Sequence, residues 1–417
     1  VWGDGLMAVV TPVSPRTGRN VEAVLLAVAV ALAMGAWALV GLAVDGALPA
    51  GMLGYGLGFG VLVLALHLVL RWRAPYADPT LLPMATAING IGLVVIYRLD
   101  LAEETSQATR QLMWTAIGVA AAGVILVLLR DHRILSRYTY VAMAVGLGLL
   151  LLPLLPVLGK TINGARIWIG VGPLSFQPGE LAKIALTIFF AGYLVTARDA
   201  LSLVGRKILG LQFPRGRDLG PVLVAWLVSL GVLVFERDLG TSLLFFGLFI
   251  ALIYVATERT SWVVLGLLMF VGGAFVAWTL FGHVQARVDA WLNPFDPDIY
   301  FREFGSSLQL VQGLFGLANG GLLGTGLGQG RPDIVPFANS DFIVASVGEE
   351  LGLTGLIALF LLQFVGFAAV DQEAFVDLIA QAQSKNIPII GFDSGVPGAP
   401  EGAIKATAST NNENAAA

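Results

Sequence analysis

Long apolar runs separated by short polar stretches dominate the chain. A membrane-spanning helix needs about 20 mostly apolar residues. Ten runs meet or approach that length, at residues 21–44, 51–70, 81–97, 112–129, 140–158, 181–197, 221–235, 239–256, 262–281 and 341–370. They predict an all-α fold: a polytopic transmembrane helix bundle of about ten spans. The runs from Pro221 and Leu239 meet at Phe235-Glu236-Arg237-Asp238, which reads as a tight polar turn between antiparallel helices. The first run is too long for a cleavable signal peptide and reads as a retained span.

Composition agrees with the pattern. Of 417 residues 57% are hydrophobic and 12% charged, against about 25% charged in soluble domains, so the bilayer is the natural solvent. The net charge of −4 holds no basic excess that would suggest a nucleic-acid partner. Cysteine is absent, which excludes disulfides, thiolate zinc sites and cysteine nucleophiles. His67, His132 and His283 are scattered without metal-ligand spacing.

Lys and Arg in short loops set orientation. With residues 1–20 cytoplasmic, the inner loops hold thirteen such residues. The short outer loops hold five: Arg98, Arg110, Lys160, Arg166 and Arg237. This places two polar segments, 160–180 and 282–340, on the outer face. After Val370 the chain turns polar. It predicts an amphipathic helix, a short strand at 387–395 and a Gly/Ala/Asn-rich end, so 371–417 reads as a foreign-looking soluble tail of α/β type.

The outer segments carry the candidate chemistry. Asn163-Gly164-Ala165-Arg166-Ile167-Trp168 is followed by Gln177-Pro178-Gly179-Glu180-Leu181-Ala182-Lys183. Glu180 and Lys183 are three apart and share a helix face. They read either as a local ion pair beside an interfacial Trp168, or as part of an anion cradle in which Arg166 and Lys183 hold a lipid-linked pyrophosphate. The Gly-rich stretch from Gly320 to Gly330 reads as a phosphate cradle or as a flexible re-entrant turn. Asp341, where an outer loop enters a span, is either a helix-start residue behind a Ser340 cap or a general base or metal ligand at the mouth of a membrane cavity. Glu349 and Glu350 follow eight and nine residues later, about 12–13 Å along a continuous helix. Two carboxylates so deep need partners or water, and a structural role is favoured. Glu236-Arg237-Asp238 reads as a self-neutralised turn or as the rim of the same cavity.

Taken together, these segments resemble the SEDS (shape, elongation, division, sporulation) family, the FtsW/RodA/SpoVE glycan polymerases, over about residues 20–370. Asn163-Gly164-Ala165-Arg166-Ile167-Trp168 with Gln177-Pro178-Gly179-Glu180 and Lys183 matches the family's N-G-A-x-x-W and Q-P-x-E-x-x-K motif. Asp238-Leu239-Gly240-Thr241 matches its D-L-G-T turn. Gly320-Gly321 through Gly330 matches its G-G-x-x-G-x-G-x-G loop, and Asp341-Phe342-Ile343 with Gly348-Glu349-Glu350-Leu351-Gly352 matches the D-F-I…E-E-L-G block. The N-terminal part looks most like actinobacterial members.

The resemblance implies a multi-pass protein of the bacterial cytoplasmic membrane, a peptidoglycan glycosyltransferase that polymerises lipid II for cell elongation or division. It implies Asp341 as the essential carboxylate, a divalent metal ion (Mg or Mn) held at Asp341, and a class B penicillin-binding transpeptidase as partner. A lipid II flippase and a non-catalytic scaffold for the transpeptidase are the alternatives. The chain departs from the family in two places. Phe337-Ala338-Asn339-Ser340 replaces the commoner L-P-E-A-H-T before Asp341. Beyond Val370 two further spans and an S-Y-G-G-S-S motif are expected, whereas Ile387-Pro388-Ile389-Ile390-Gly391-Phe392-Asp393-Ser394-Gly395 resembles a fragment of an ABC-transporter sugar-binding protein. On this reading 21–370 is a truncated transmembrane domain joined to that fragment.

Overall fold

A computed structural model of the protein describes residues 18–129, 131–156, 158–162, 165–171, 174–202, 207–208, 211–212, 227, 231, 239–257, 259–368, 389–392 and 404–408. Its helices are α1 (Arg19–Val44), α2 (Met52–Arg73), α3 (Leu81–Glu103), α4 (Gln107–Leu128), α5 (Thr139–Leu151), α6 (Pro178–Ser202), α7 (Leu239–Thr257), α8 (Thr260–Leu280), α9 (Gly282–Leu292), α10 (Pro297–Tyr300), α11 (Leu308–Gly320) and α12 (Ile343–Ala368). Short strands are β1 (Gly159–Ile162), β2 (Ala165–Val171), β3 (Leu174–Phe176), β4 (Lys207–Ile208), β5 (Leu211–Gln212), β6 (Ile389–Phe392) and β7 (Ile404–Ala408). Among the described residues nine helices are long and apolar enough to cross a membrane. Of the span expected at 221–235 only residues 227 and 231 are described, and the turn that ends at Asp238 lies outside the described residues.

The chain divides into two units, residues 1–128 with 307–417 and residues 129–306. In the first, α1 buries Leu26, Ala29, Ala33, Trp37 and Val40 on one face, while Val24, Val28, Leu32 and Leu39 face outward. That is helical periodicity with both faces apolar, as a lipid-bathed helix requires. Hydrophobicity cannot drive helix against helix in lipid, so close contact must supply the attraction. It does so here: a Cβ placed on Gly90 of α3 would lie 2.7 Å from the Ala33 Cβ of α1. Further along, the Trp37 ring sits 4.5 Å from Tyr97 and 5.0 Å from Tyr55.

At the opposite end of α1 lies a buried polar knot. Arg19 is paired with Glu22, His67 Nδ1 is 2.6 Å from Glu22 Oε1, and Arg19 also donates to the Ala77 carbonyl. Buried ions without partners are costly, and these three side chains satisfy one another.

In the second unit α5 through α8 pack around Leu150, Leu186, Phe189, Phe190, Phe245 and Phe249. Gly146 of α5 accepts Leu186 closely, with only 2.7 Å between its notional Cβ and Leu186 Cγ. Between α5 and α6 the chain forms a three-stranded antiparallel sheet in the order β1-β2-β3. The expectation for 160–180 contained no strands. In the tail, β6 falls inside the strand expected at 387–395 and pairs in parallel with β7. The helix expected just after Val370 lies outside the described residues.

Candidate active site

The largest departure from a plain helix bundle occurs where α12 is interrupted. Gly352 has φ 67° and ψ −170°, a backbone region that only glycine occupies readily. At such a break the carbonyls of the preceding turn lose their helical donors and must find others. The Gly-rich loop after α11 provides them. Thr325 N donates to the Glu349 carbonyl at 2.9 Å and Gly326 N to the Glu350 carbonyl at 3.0 Å. In return Leu353 N and Thr354 N donate to the carbonyls of Gly321 and Leu322 at 2.9 and 3.1 Å. Glycine is required because backbones touch: a Cβ on Gly324 would lie 2.2 Å from the Glu350 carbonyl oxygen, and one on Gly320 would lie 2.0 Å from that of Gly348.

The same loop takes the two carboxylates. Glu349 Oε1 accepts from Asn319 Nδ2 and from Arg331 N, both at 3.0 Å. Glu350 Oε2 accepts from Gly328 N at 3.0 Å, and its Oε1 accepts from Arg98 Nε at 3.0 Å. Arg98 completes the join by donating to the Gly330 carbonyl at 2.8 Å. Arg98, Glu349 and Glu350 are all buried.

These bonds bear on three expectations. The N–H groups of Thr325, Gly326 and Gly328 are consumed internally, so the loop is a splice across a broken helix rather than a phosphate cradle. Glu349 and Glu350 have the partners that their favoured structural role requires. Arg98 is a buried residue of α3 rather than an outer-loop cation. Arg98 falls in a loop on the sequence reading because the apolar run 81–97 closes one residue before it. The usable signal was the arithmetic of charge: two buried carboxylates on one span call for a cation on another.

Asp341 lies in the turn before α12, exposed, and among the described residues its carboxylate has no hydrogen-bond or ion-pair partner. Two details differ from expectation. Since α12 starts at Ile343, Asp341 is outside the helix and the spacing expected along a continuous helix to Glu349 and Glu350 does not apply. Nor does Ser340 cap the helix; its hydroxyl is 3.5 Å from the Phe337 carbonyl, to which it donates. What fixes the turn is its underside. Val335 and Ala338 are buried among Val95 and Leu99 of α3 and Ala345 and Val347 of α12. Gln309 Nε2 donates to the Pro336 carbonyl at 3.0 Å, and Phe337 is held at φ 56°, a left-handed conformation strained for an aromatic residue.

The second polar segment belongs to the other unit. Lys160 of β1 is the partner of Trp168 on β2, and the register shifts between Lys160 and Ile162. Such a shift re-aims nearby side chains. Arg166, opposite it, donates to the Leu155 carbonyl at 3.1 Å, while its Nε is buried with no hydrogen-bond partner among the described residues. Gln177 starts α6 by accepting from Glu180 N through its carbonyl at 3.2 Å. Pro178 occupies the first helical position, where its missing N–H costs nothing. Lys183 Nζ donates to Glu180 at 2.7 Å, confirming the shared face. Asn163 and Asp238 lie outside the described residues.

Comparison with known proteins decides the lineage. Residues 79–382 match the FtsW/RodA/SpoVE family model, described as cell cycle protein. The chain belongs to the FtsW/RodA/SpoVE family. Within this family, it is 44% identical over 394 residues to peptidoglycan glycosyltransferase RodA of Mycobacterium tuberculosis (strain ATCC 25618 / H37Rv), covering 91% of this chain and 82% of that one. The Mycobacterium leprae RodA is 42% identical over 393 residues with the same coverage. Stage V sporulation protein E of Bacillus subtilis is 33% identical over 285 residues, 65% of this chain and 72% of its own. Like other FtsW/RodA/SpoVE members, the chain is a multi-pass protein of the bacterial cytoplasmic membrane.

Proposed function

We propose that this chain is a peptidoglycan glycosyltransferase that polymerises lipid II into glycan strands, with Asp341 as general base. The observation that carries the assignment of the base is the contrast among the three carboxylates of the D-F-I…E-E-L-G block. Glu349 and Glu350 are buried and hydrogen-bonded, whereas Asp341 is exposed, without a partner among the described residues, and held on a strained turn. A base must reach a substrate proton, and of the three only Asp341 is free to do so.

In the reaction, the Asp341 carboxylate takes the proton of the acceptor sugar hydroxyl as that oxygen attacks the anomeric carbon of the growing chain. The bond from that carbon to the polyprenyl pyrophosphate breaks, and the pyrophosphate leaves with the electron pair. Arg166 and Lys183 are the cations of the second polar segment suited to this anion. Among the described residues no cluster of three or more His, Asp or Glu could hold a resident metal ion. A lone exposed carboxylate suits instead a Mg or Mn ion brought with the pyrophosphate, since Mg is commonly bound through one carboxylate plus substrate phosphates. Such an ion, when bound to Asp341, would neutralise charge on the leaving group. A class B penicillin-binding transpeptidase is the proposed partner.

The test is incubation of the purified chain with labelled lipid II and a divalent cation, with and without a transpeptidase. Polymer is expected, and Asp341→Ala should reduce its rate by about 100-fold or more, the usual contribution of a general base. Polymer that survives Asp341→Ala would remove Asp341 from the reaction. Lipid II translocation in liposomes without any polymer would replace the polymerase by a transporter.

A further inference from the structure

The turn that carries Asp341 is gripped from a second side. Asp100, buried in the last turn of α3, accepts from Gln107 N at 2.8 Å, from Ala108 N at 2.7 Å and from the Thr105 hydroxyl. It thus caps α4 from across the α3–α4 connection, where a carboxylate both satisfies orphan N–H groups and favours the helix dipole. Gln107, fixed by its own backbone on Asp100, presents its side-chain oxygen to Asn339 Nδ2, two residues before Asp341. Between that bond and Asp341 stands only Ser340, and the left-handed Phe337 lies just upstream. A strained residue persists only where its surroundings over-determine it. Val335 and Ala338 pin the underside of the turn, and Ser340 N and Phe342 N close it by donating to the Phe337 carbonyl, each at 3.1 Å; the Gln107–Asn339 bond ties this closed turn to the α3–α4 connection.

We propose that the Gln107–Asn339 amide pair is the positioning device for Asp341, fixing the direction of its carboxylate through the α3–α4 connection. The proposal rests on Asp341 being the base. Neither amide touches the reacting atoms. Asp341 is exposed and otherwise unpartnered, so its aim is inherited from the backbone on either side. The Phe337 carbonyl closes the turn from within, α12 anchors its far end, and Asn339 orients it against the α3–α4 connection.

Two measurements test this. In lipid II polymerisation, Gln107→Ala and Asn339→Ala should each lower kcat by about 10- to 100-fold, the scale expected for a displacement near 1 Å, with KM within about twofold of the parent. Gln107→Glu retains an acceptor oxygen and should recover most of the rate. The double variant Gln107→Ala/Asn339→Ala should be no slower than the slower single. The second readout is independent of activity. The chain has no cysteine, so Ser340→Cys accepts one nitroxide spin label beside Asp341. That label should be immobilised in the parent and mobile once Gln107→Ala is added. An unchanged line shape overturns the proposal. So does a kcat loss that Gln107→Glu fails to recover and that tracks a lowered Tm. A change in KM alone would make the pair a substrate contact instead. If the parent makes no polymer, the polymerase reading falls while the spin label still decides whether the pair holds the turn.

Discussion

Arg98 is one guanidinium in a bilayer-embedded helix, and its environment defines what removing it would do. It faces the Glu350 carboxylate at 3.0 Å and the Gly330 carbonyl at 2.8 Å, with both side chains buried. Breaking one partner of a buried pair strands the other charge, at about 3–5 kcal/mol. Arg98→Met is therefore expected to destabilise the detergent-solubilised protein by about that amount. Arg98→Met/Glu350→Gln should recover much of it, because a neutral amide can still accept from Gly328 N. Thermal unfolding of the three proteins is the check, and equal losses in the single and double variants would contradict the pairing. Much at this scale was legible in the sequence. The Glu180–Lys183 bond and the need of Glu349 and Glu350 for partners followed from spacing and solvent alone. The identity of those partners did not, since Arg98 is distant in sequence and several of the remaining donors are backbone N–H groups that carry no side-chain signature.

At the level of elements, the loop 320–330 and the broken helix α12 form one construction. Here steric arithmetic gives the prediction. A methyl group on Gly352 would lie 2.3 Å from Gly324 N, and neither atom can move without dissolving the exchange of bonds that joins the two segments. Gly352→Ala should abolish accumulation of folded protein, read as the loss of a monodisperse peak in size-exclusion chromatography. Gly92→Ala in α3 meets nothing within 4 Å and should be indistinguishable from the parent. Hydropathy legibly placed the described spans. It could not show the break in α12, because the segment 343–363 is apolar enough to read as continuous. The β1-β2-β3 sheet was equally hidden: its strands are three to seven residues long, too short for the alternation that marks a strand to develop.

Over the whole molecule the distribution of exposure is that of a chain whose solvent is lipid. None of the hydropathy window of α4 is buried, and Ile117, Val124, Ile125 and Leu128 are among its exposed apolar side chains. In water such a surface would aggregate; in a bilayer it is the wetted face. A charge placed there is expected to cost about 2.5–3.5 kcal/mol on insertion scales. Val124→Lys should therefore lower the yield of membrane-inserted protein, measured by protease protection in vesicles. Val124→Leu should leave it unchanged. A Val124→Lys protein that inserts as well as the parent would mean that this face meets water or protein.

The helix splice also bears on how the protein is made. Ribosomes deliver the chain from its N-terminus, and domains form as they emerge. Arg98, Asn319 and the loop 320–330 have all been synthesised before Glu349 and Glu350 leave the exit tunnel. The α12 span thus reaches the translocon after every group that neutralises it, and its two carboxylates enter lipid toward waiting partners. The order of the gene places the receptor ahead of the charge, so a circularly permuted chain that began with α12 would have to insert both carboxylates alone.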